Sequence, residues 1–260
     1  MSVVRAGALG RRVDLVRELV LRDVRLRYRR SVLGVAWSQL PPLSLLVIMT
    51  IVFTKVIPLD IPDYPVFALT GLLTWTWFQT SMLSATVCVT DGGDLVRRPR
   101  FPVTLLPPIA IVSQLAHFLL ALPVLLGAVI VLTGRLPATA VLLPLLIAIQ
   151  FMVTLGPAYA VAALHVPVRD IGHALAVVLQ LWFFGTPIFY DDQRLIDSSF
   201  RIVYELNPIA HLITAYRDVL IRGRWPSFGS LGLIFGAGAI LSAAGIMLYR
   251  RRAHTFPEEL

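Results

Sequence analysis

The sequence predicts an all-α integral membrane protein with six transmembrane helices. Three observations carry this. Hydrophobic residues make up 57% of the 260 positions and charged residues only 15%, whereas an average soluble domain holds about 25% charged residues to coat its surface. The mean hydropathy is +0.78. The charges gather in short clusters separated by long uncharged runs.

Six runs, 31–54, 65–90, 101–134, 136–168, 171–190 and 225–249, contain no Asp, Glu, Lys or Arg and each hold at least 20 residues. That is enough to cross about 30 Å of hydrocarbon at about 1.5 Å per helical residue. A seventh run, 206–216, has 11 residues and reaches only about 17 Å as a helix. It must lie at the interface or enter and return.

Before the first run stands a segment with nine arginines, and its approximate range 11–30 reads as an amphipathic helix. Asp14, Glu18, Arg22, Arg25 and Arg29 fall on one charged stripe, and Val13, Val16, Val20 and Val24 on an apolar one. Such a helix lies on a membrane surface with its arginines at the headgroups. The alternation of acid with arginine along the stripe suits a soluble partner as well as lipid. Because the first apolar run follows this charged segment, no cleaved signal is expected.

With six crossings, sixteen of the 23 basic residues fall on the side of this helix and seven on the other. The positive-inside rule therefore places both termini in the cytoplasm. The net charge of +8 is thus a property of cytoplasmic loops facing anionic lipid, and no nucleic-acid partner is expected. The chain divides into the helical leader 1–30, a six-span domain 31–250 and a cytoplasmic tail 251–260.

Within the spans, Pro107-Pro108 marks a kink or the true start of the third, and Pro123, Pro144 and Pro157 lie inside spans, where neighbours satisfy the freed backbone. Gly134-Arg135-Leu136-Pro137 reads as a tight outer turn. Cys88 is the lone cysteine, so no intrachain disulfide forms, and its apolar run predicts a small buried hydrophobe.

Three further segments have functional composition. The loop 91–102 is short and charged, with Asp94 able to cap a helix that Pro99 and Pro102 end. A stiff element between two spans suits transmission of a push from a partner. The segment 191–224 places ten charged residues around the non-spanning run, as at a pore mouth or gate. Aromatic rings recur at Trp75, Trp77 and Phe78 and at Trp182, Phe183 and Phe184. Flat rings along a channel suit sugar faces, and ordinary helix packing suits them equally. Asp191-Asp192 reads as a solvated helix cap.

Missing motifs narrow the chemistry. A P-loop needs its lysine after a Gly-rich turn, and Lys55, the only lysine, follows Ile-Val-Phe-Thr. No uncharged run holds the Asp or Glu of an ion relay. Transport against a gradient would then draw its energy from another chain, with no cofactor or metal bound here and no catalytic residue.

The segment Arg27-Tyr28-Arg29-Arg30-Ser31 with Leu33-Gly34, Trp37 and Pro41-Pro42 resembles the N-terminal signature of polysaccharide-exporting ABC permeases, the exporters of O-antigen, teichoic acid and related cell-surface glycans. Leu95-Val96-Arg97-Arg98-Pro99-Arg100-Phe101-Pro102 is similar to the family's first cytoplasmic loop, and Val168-Arg169-Asp170-Ile171 to the motif before its fifth span. Gly185-Thr186-Pro187-Ile188-Phe189-Tyr190, Asn207-Pro208 and Arg217 resemble its fifth-span and gate pattern.

The resemblance implies a homodimer in a bacterial inner (plasma) membrane, joined to two soluble ATPase subunits that bind ATP and Mg and moving a lipid-linked glycan outward. It implies ATPase coupling through Arg22, Arg25 and Arg29 on the leader helix and through Asp94, Leu95, Arg97, Arg98, Arg100 and Phe101 in the loop. It implies re-entrant gate helices between spans five and six, with Pro187, Tyr190, Asn207, Pro208 and Arg217 at the outer gate. A sugar path along Trp182, Phe183 and Phe184, with Trp75, Trp77 and Phe78, is its remaining implication. The rival readings are an ABC permease for a lipid or drug, a membrane-bound transferase and a scaffold that only recruits a soluble partner.

Overall fold

A computed structural model describes residues 14–22, 36–56, 58–98, 101–192 and 201–260. Among the described residues there is no strand. Helix α1 covers residues 14–22. Helix α2, Ala36–Ile51, runs on into a π-helical turn, Val52–Val56. The long α3, Tyr64–Asp91, is followed after one glycine by the four-residue α4, Gly93–Val96. A 3-10 turn, Val103–Leu105, leads into α5, Leu106–Thr133, and another, Ala138–Leu142, into α6, Leu143–His165. Then come α7, Asp170–Phe184, the short α8, Arg201–Glu205, and α9, Pro208–Arg217, with a π-helical turn at Asp218–Arg222. Helix α10, Phe228–Arg252, and the four-residue α11, Phe256–Glu259, complete the order.

Among the described residues three stretches are long and apolar enough to cross a membrane: Val103–Thr133, Ala138–His165 and Phe228–Arg252. The prolines explain two starts. Pro107 and Pro108 fall in the first turn of α5, so the doubled proline opens the third apolar helix instead of kinking it. Pro144 likewise sits in the first turn of α6, inside the apolar stretch Ala138–His165, while Pro123 and Pro157 are interior to their helices. Gly134 closes α5 in the left-handed conformation at φ 76°, the C-terminal cap that glycine adopts without a Cβ clash.

The other expected spans differ in kind. Helix α3 has 28 residues, of which 18 are buried by the rest of the chain. Six threonines lower its hydropathy, and those buried at 70, 74 and 86 donate to the carbonyls of Val66, Thr70 and Met82 at 2.8 Å. Polarity in the composition is thereby spent inside the helix. The fifth run does not stay helical to residue 190. Helix α7 ends at Phe184, and residues 185–190 form an irregular loop. The expected leader helix is present over 14–22, and residues 23–35 lie outside the described set.

Packing centres on α3, which touches α2, α5, α6, α7 and α9. Helix α10 lies along α6, and the approach is backbone to backbone. Added Cβ atoms at Gly156 and Gly245 would collide with Leu241 and Gly156 main-chain atoms respectively. The large core surrounds α3. A second, smaller core at the α4 end joins Val89, Val96, Leu106, Tyr159, Tyr249 and Phe256.

Candidate functional site

Helix α3 connects the loop 91–102 with the loop after α7, since its 28 residues span about 42 Å at about 1.5 Å each. At its C-terminal end Gly92 breaks the helix and α4 begins at once. Val96 is buried; Asp94, Arg97 and Arg98 are exposed; Leu95 and Phe101 are half-buried. Asp94 does not cap the helix. A cap precedes the first helical residue, and with α4 starting at Gly93 the Asp94 carboxylate already lies in the first turn without a capping bond.

The return strand of this loop is tied down by two tyrosines. Tyr159 Oη on α6 donates to the Thr104 carbonyl at 2.7 Å. Tyr249 Oη on α10 donates to the Val103 carbonyl at 3.0 Å. The two rings meet edge to face at 5.3 Å. The α4 loop is therefore bonded to four long helices: covalently to α3 and α5, and by hydrogen bonds to α6 and α10. Beside it Leu19 and Arg22 of α1 close a cavity of about 300 Å³ with Cys88, Asp91, Leu95, Ser113 and Gln114. Cys88 is half-buried at that cavity. Arg25, Arg29 and Arg100 lie outside the described residues.

Midway along α3 the aromatic residues separate into two groups. Trp75 meets Phe78, Trp182 and Phe183 edge to face at 5.6, 6.1 and 5.8 Å, and Phe78 meets Trp182 at 5.3 Å. This is the geometry preferred by ring quadrupoles. Trp77 points elsewhere and stacks on Phe118 at 5.2 Å. Trp75, Trp77 and Phe78 are buried within the chain, Trp182 and Phe183 half-buried and Phe184 exposed. Ring surface available to a passing molecule is thus carried by α7, with α3 behind it.

At the N-terminal end of α3 the loop 185–192 is held by nearly every side chain in reach. Asn207 caps α9: its Oδ1 accepts from the Ile209 and Ala210 amides at 3.1 and 3.2 Å, and its Nδ2 donates to Thr186 Oγ1 at 2.9 Å. Pro208 occupies the first helical position, where its missing N–H costs nothing. Arg217, only 1% exposed, donates from Nη1 to the Pro187 carbonyl at 2.8 Å and from Nη2 to the Ile188 carbonyl at 2.7 Å. Tyr64 donates to the Phe189 carbonyl at 3.1 Å and Tyr190 to the Phe184 carbonyl at 3.0 Å.

The helix that Asp191-Asp192 is expected to cap would begin at residue 193, and residues 193–200 lie outside the described residues. Arg222 lies 3.8 Å from both Asp191 and Asp192 and donates to Asp218 at 3.0 Å. Asp192 is buried and accepts from Thr214 at 3.2 Å. Burial, reinforced by the neighbouring Asp191, pushes its carboxyl above the ordinary carboxylate range. The non-spanning run folds as α9 with Ile209, Leu212, Ile213 and Tyr216 fully buried against α3 and α6.

Sequence reasoning did not single out Tyr64, Tyr159, Thr214, Tyr249 or Phe256, and named Thr186 only within the motif 185–190. Tyr64 and Tyr249 stand at ends of apolar runs, where interfacial belts also place them, and Tyr159 lies inside the run 136–168, so residue type alone carried no separate signal.

Residues 14–221 match the family model described as ABC-2 type transporter. The chain is 34% identical over 248 residues to the O-antigen export system permease protein RfbA of Myxococcus xanthus, covering 95% of each. It is 28% identical over 262 residues to the protein of that name from Klebsiella pneumoniae, covering the whole of both. It is 24% identical over 244 residues to the polysialic acid transport protein KpsM of Escherichia coli, covering 91% of this chain and 93% of that one.

Proposed function

Since the chain belongs to the ABC-2 type transporter family, we propose that it is the permease of an exporter that carries a lipid-linked cell-surface polysaccharide outward across a bacterial inner membrane. ATP and Mg bind to a separate soluble subunit, and this chain is not itself an enzyme. The observation that carries the reading is the 34% identity to an O-antigen export permease across 95% of both chains.

In this reading α2, α3, α5, α6, α7 and α10 are the six crossings, both termini are cytoplasmic, and α8 and α9 re-enter from the outer face. Two copies form the pathway and two ATPase subunits sit below. The ATPases engage the leader helix, through Arg22, Arg25 and Arg29, and the α4 loop, through Asp94, Leu95, Arg97, Arg98, Arg100 and Phe101. ATP-driven closure pushes α4. The push passes to α3 and α5 through the chain and to α6 and α10 through the Tyr159 and Tyr249 bonds. At the outer face Pro187, Tyr190, Asn207, Pro208 and Arg217 hold the gate loop. Between the ends Trp182, Phe183 and Phe184 offer ring faces to sugars, and Trp75 and Phe78 support them, while Trp77 packs on Phe118 instead.

The test is reconstitution in proteoliposomes. The chain alone should hydrolyse no ATP, and adding its ATPase should give ATP-dependent movement of lipid-linked glycan to the opposite face. Movement without any ATPase would overturn the division of labour. ATP-dependent movement of a drug or simple lipid, with glycan ignored, would overturn the substrate.

A further inference from the structure

We propose that the segment after α10 is a clasp on the coupling element, with Phe256 as its positioning residue; this rests on the coupling role proposed above for the α4 loop. After Arg252 the chain makes a tight turn, with the Thr255 amide donating to the Arg252 carbonyl at 3.0 Å. It then returns Phe256 into the small core, where the ring is wholly buried. A segment with only a topological role would leave this ring in water or lipid headgroups. Here it meets Tyr249 edge to face at 5.2 Å, in the same cluster as Val89 at the end of α3 and Val96 of α4. Pro257 fixes the following backbone for α11. Helix α11 packs on α4, and Leu260 Cδ1 comes within 4.0 Å of where a Cβ on Gly93 would stand.

The consequence is a second grip on α4. Its ends are fixed covalently to α3 and α5, and its buried Val96 shares a core with Phe256 of α11 and Tyr249 of α10. Because α10 and α6 touch backbone to backbone at Gly156 and Gly245, a displacement of α4 that bears on Phe256 moves α6 and α10 together. Without the ring, the links that remain are the hydrogen bonds from Tyr249 to the Val103 carbonyl and from Tyr159 to the Thr104 carbonyl.

The experiment uses the full chain with its ATPase in proteoliposomes. Phe256→Ala should leave the ATPase bound and hydrolysing ATP while glycan moved per ATP falls about tenfold, within the range of couplings between sites. Phe256→Leu should restore most of it. Independently of substrate, deuterium exchange at the amides of 93–98 should quicken in Phe256→Ala while exchange along α10 stays unchanged. Unaltered exchange at 93–98 overturns the clasp, as does an unaltered ratio of glycan to ATP. If the wild-type pair hydrolyses ATP and moves no glycan, the substrate reading fails and exchange alone decides the clasp. Should Phe256→Ala fail to insert, Gly93→Cys with Leu260→Cys in a Cys88→Ser background decides: ready cross-linking supports the clasp, and none overturns it.

Discussion

Arg217 lies with its guanidinium carbon 3.4 Å from the ring centre of Phe67, a cation held over an aromatic face at the junction of α9 and α3. From that seat it donates to two carbonyls of the loop after α7. Among the described residues no carboxylate bonds it directly, so the charge is spread over peptide dipoles and a ring quadrupole. The loop after α7 is therefore fastened to α3 twice, by Arg217 through Phe67 and by Tyr64 through the Phe189 carbonyl.

Replacing Arg217 by Ala leaves the Pro187 and Ile188 carbonyls buried and unpaired. Each unsatisfied group costs about 1–3 kcal/mol, so a loss of about 2–6 kcal/mol is expected for the two, seen as a lower unfolding midpoint in detergent. Arg217→Lys should fall between, because an ammonium lacks the planar fork and stacks poorly. Gly71→Ala tests the same seat from the other side, since its Cβ would stand 2.9 Å from Nη2. Wild-type stability in all three would show the latch to be idle.

The α6–α10 contact predicts a steric effect. Gly156→Ala places a methyl 2.6 Å from the Ser242 amide nitrogen, and Gly245→Ala meets the Gly156 carbonyl. Backbone cannot turn aside as a side chain can, so the cost should reach or exceed the about 1–3 kcal/mol of ordinary overpacking. Gly232→Ala on the same helix, with open space around it, should be neutral. Equal midpoints for the three variants would remove the close approach.

Asp192 predicts a pH dependence. Its folded pKa is raised, mainly by burial and then by Asp191. The protonated form is thus the better-tolerated one, and the stability it carries is present below the unfolded carboxylate pKa and lost as pH rises through the folded value. Asp192→Asn should flatten unfolding midpoints measured from acid to neutral pH. A profile as steep as wild type would assign the dependence elsewhere.

The aromatic residues should separate by readout. Trp75→Ala empties a buried site and should cost about 3–5 kcal/mol. Phe184→Ala removes an exposed ring and should leave stability within about 0.5 kcal/mol while slowing glycan flux in proteoliposomes. Normal flux in Phe184→Ala, and in Trp182→Ala with Phe183→Ala, would return these rings to packing.

The coupling loop should respond through its partner. Arg97→Ala with Arg98→Ala removes two exposed charges and should weaken ATPase capture about tenfold, or about 1.4 kcal/mol, without altering the unfolding midpoint. Asp94→Ala with Arg97→Ala should leave ATP hydrolysis and reduce transport. Unchanged capture and transport would make the loop a connector only.

Much of this layout was legible before any fold. The uncharged runs 101–134 and 136–168 contain two of the long apolar stretches and 225–249 all but the last three residues of the third, because hydrophobic length is a local property that survives any packing. The loop 91–102 was readable as stiff and charged, and 206–216 as too short to cross. The end of α7 at Phe184 does not show in the uncharged run 171–190, which is apolar throughout, but in Gly185 at the cap and Pro187, which has no N–H, two residues on. Only the fold shows that the carbonyls of the loop beyond are claimed by Arg217 and Tyr64 from distant parts of the chain.

Composition and charge order thus determined that this is an all-helical membrane protein, because transfer of each residue from water to hydrocarbon depends on its own chemistry. The tertiary structure alone decided which aromatic faces are sealed, which carbonyls Arg217 satisfies and that Phe256 returns beneath α4. Those choices rest on contacts between residues as far apart as 150 positions, and helices apolar on every side leave no periodic stripe from which a partner can be read.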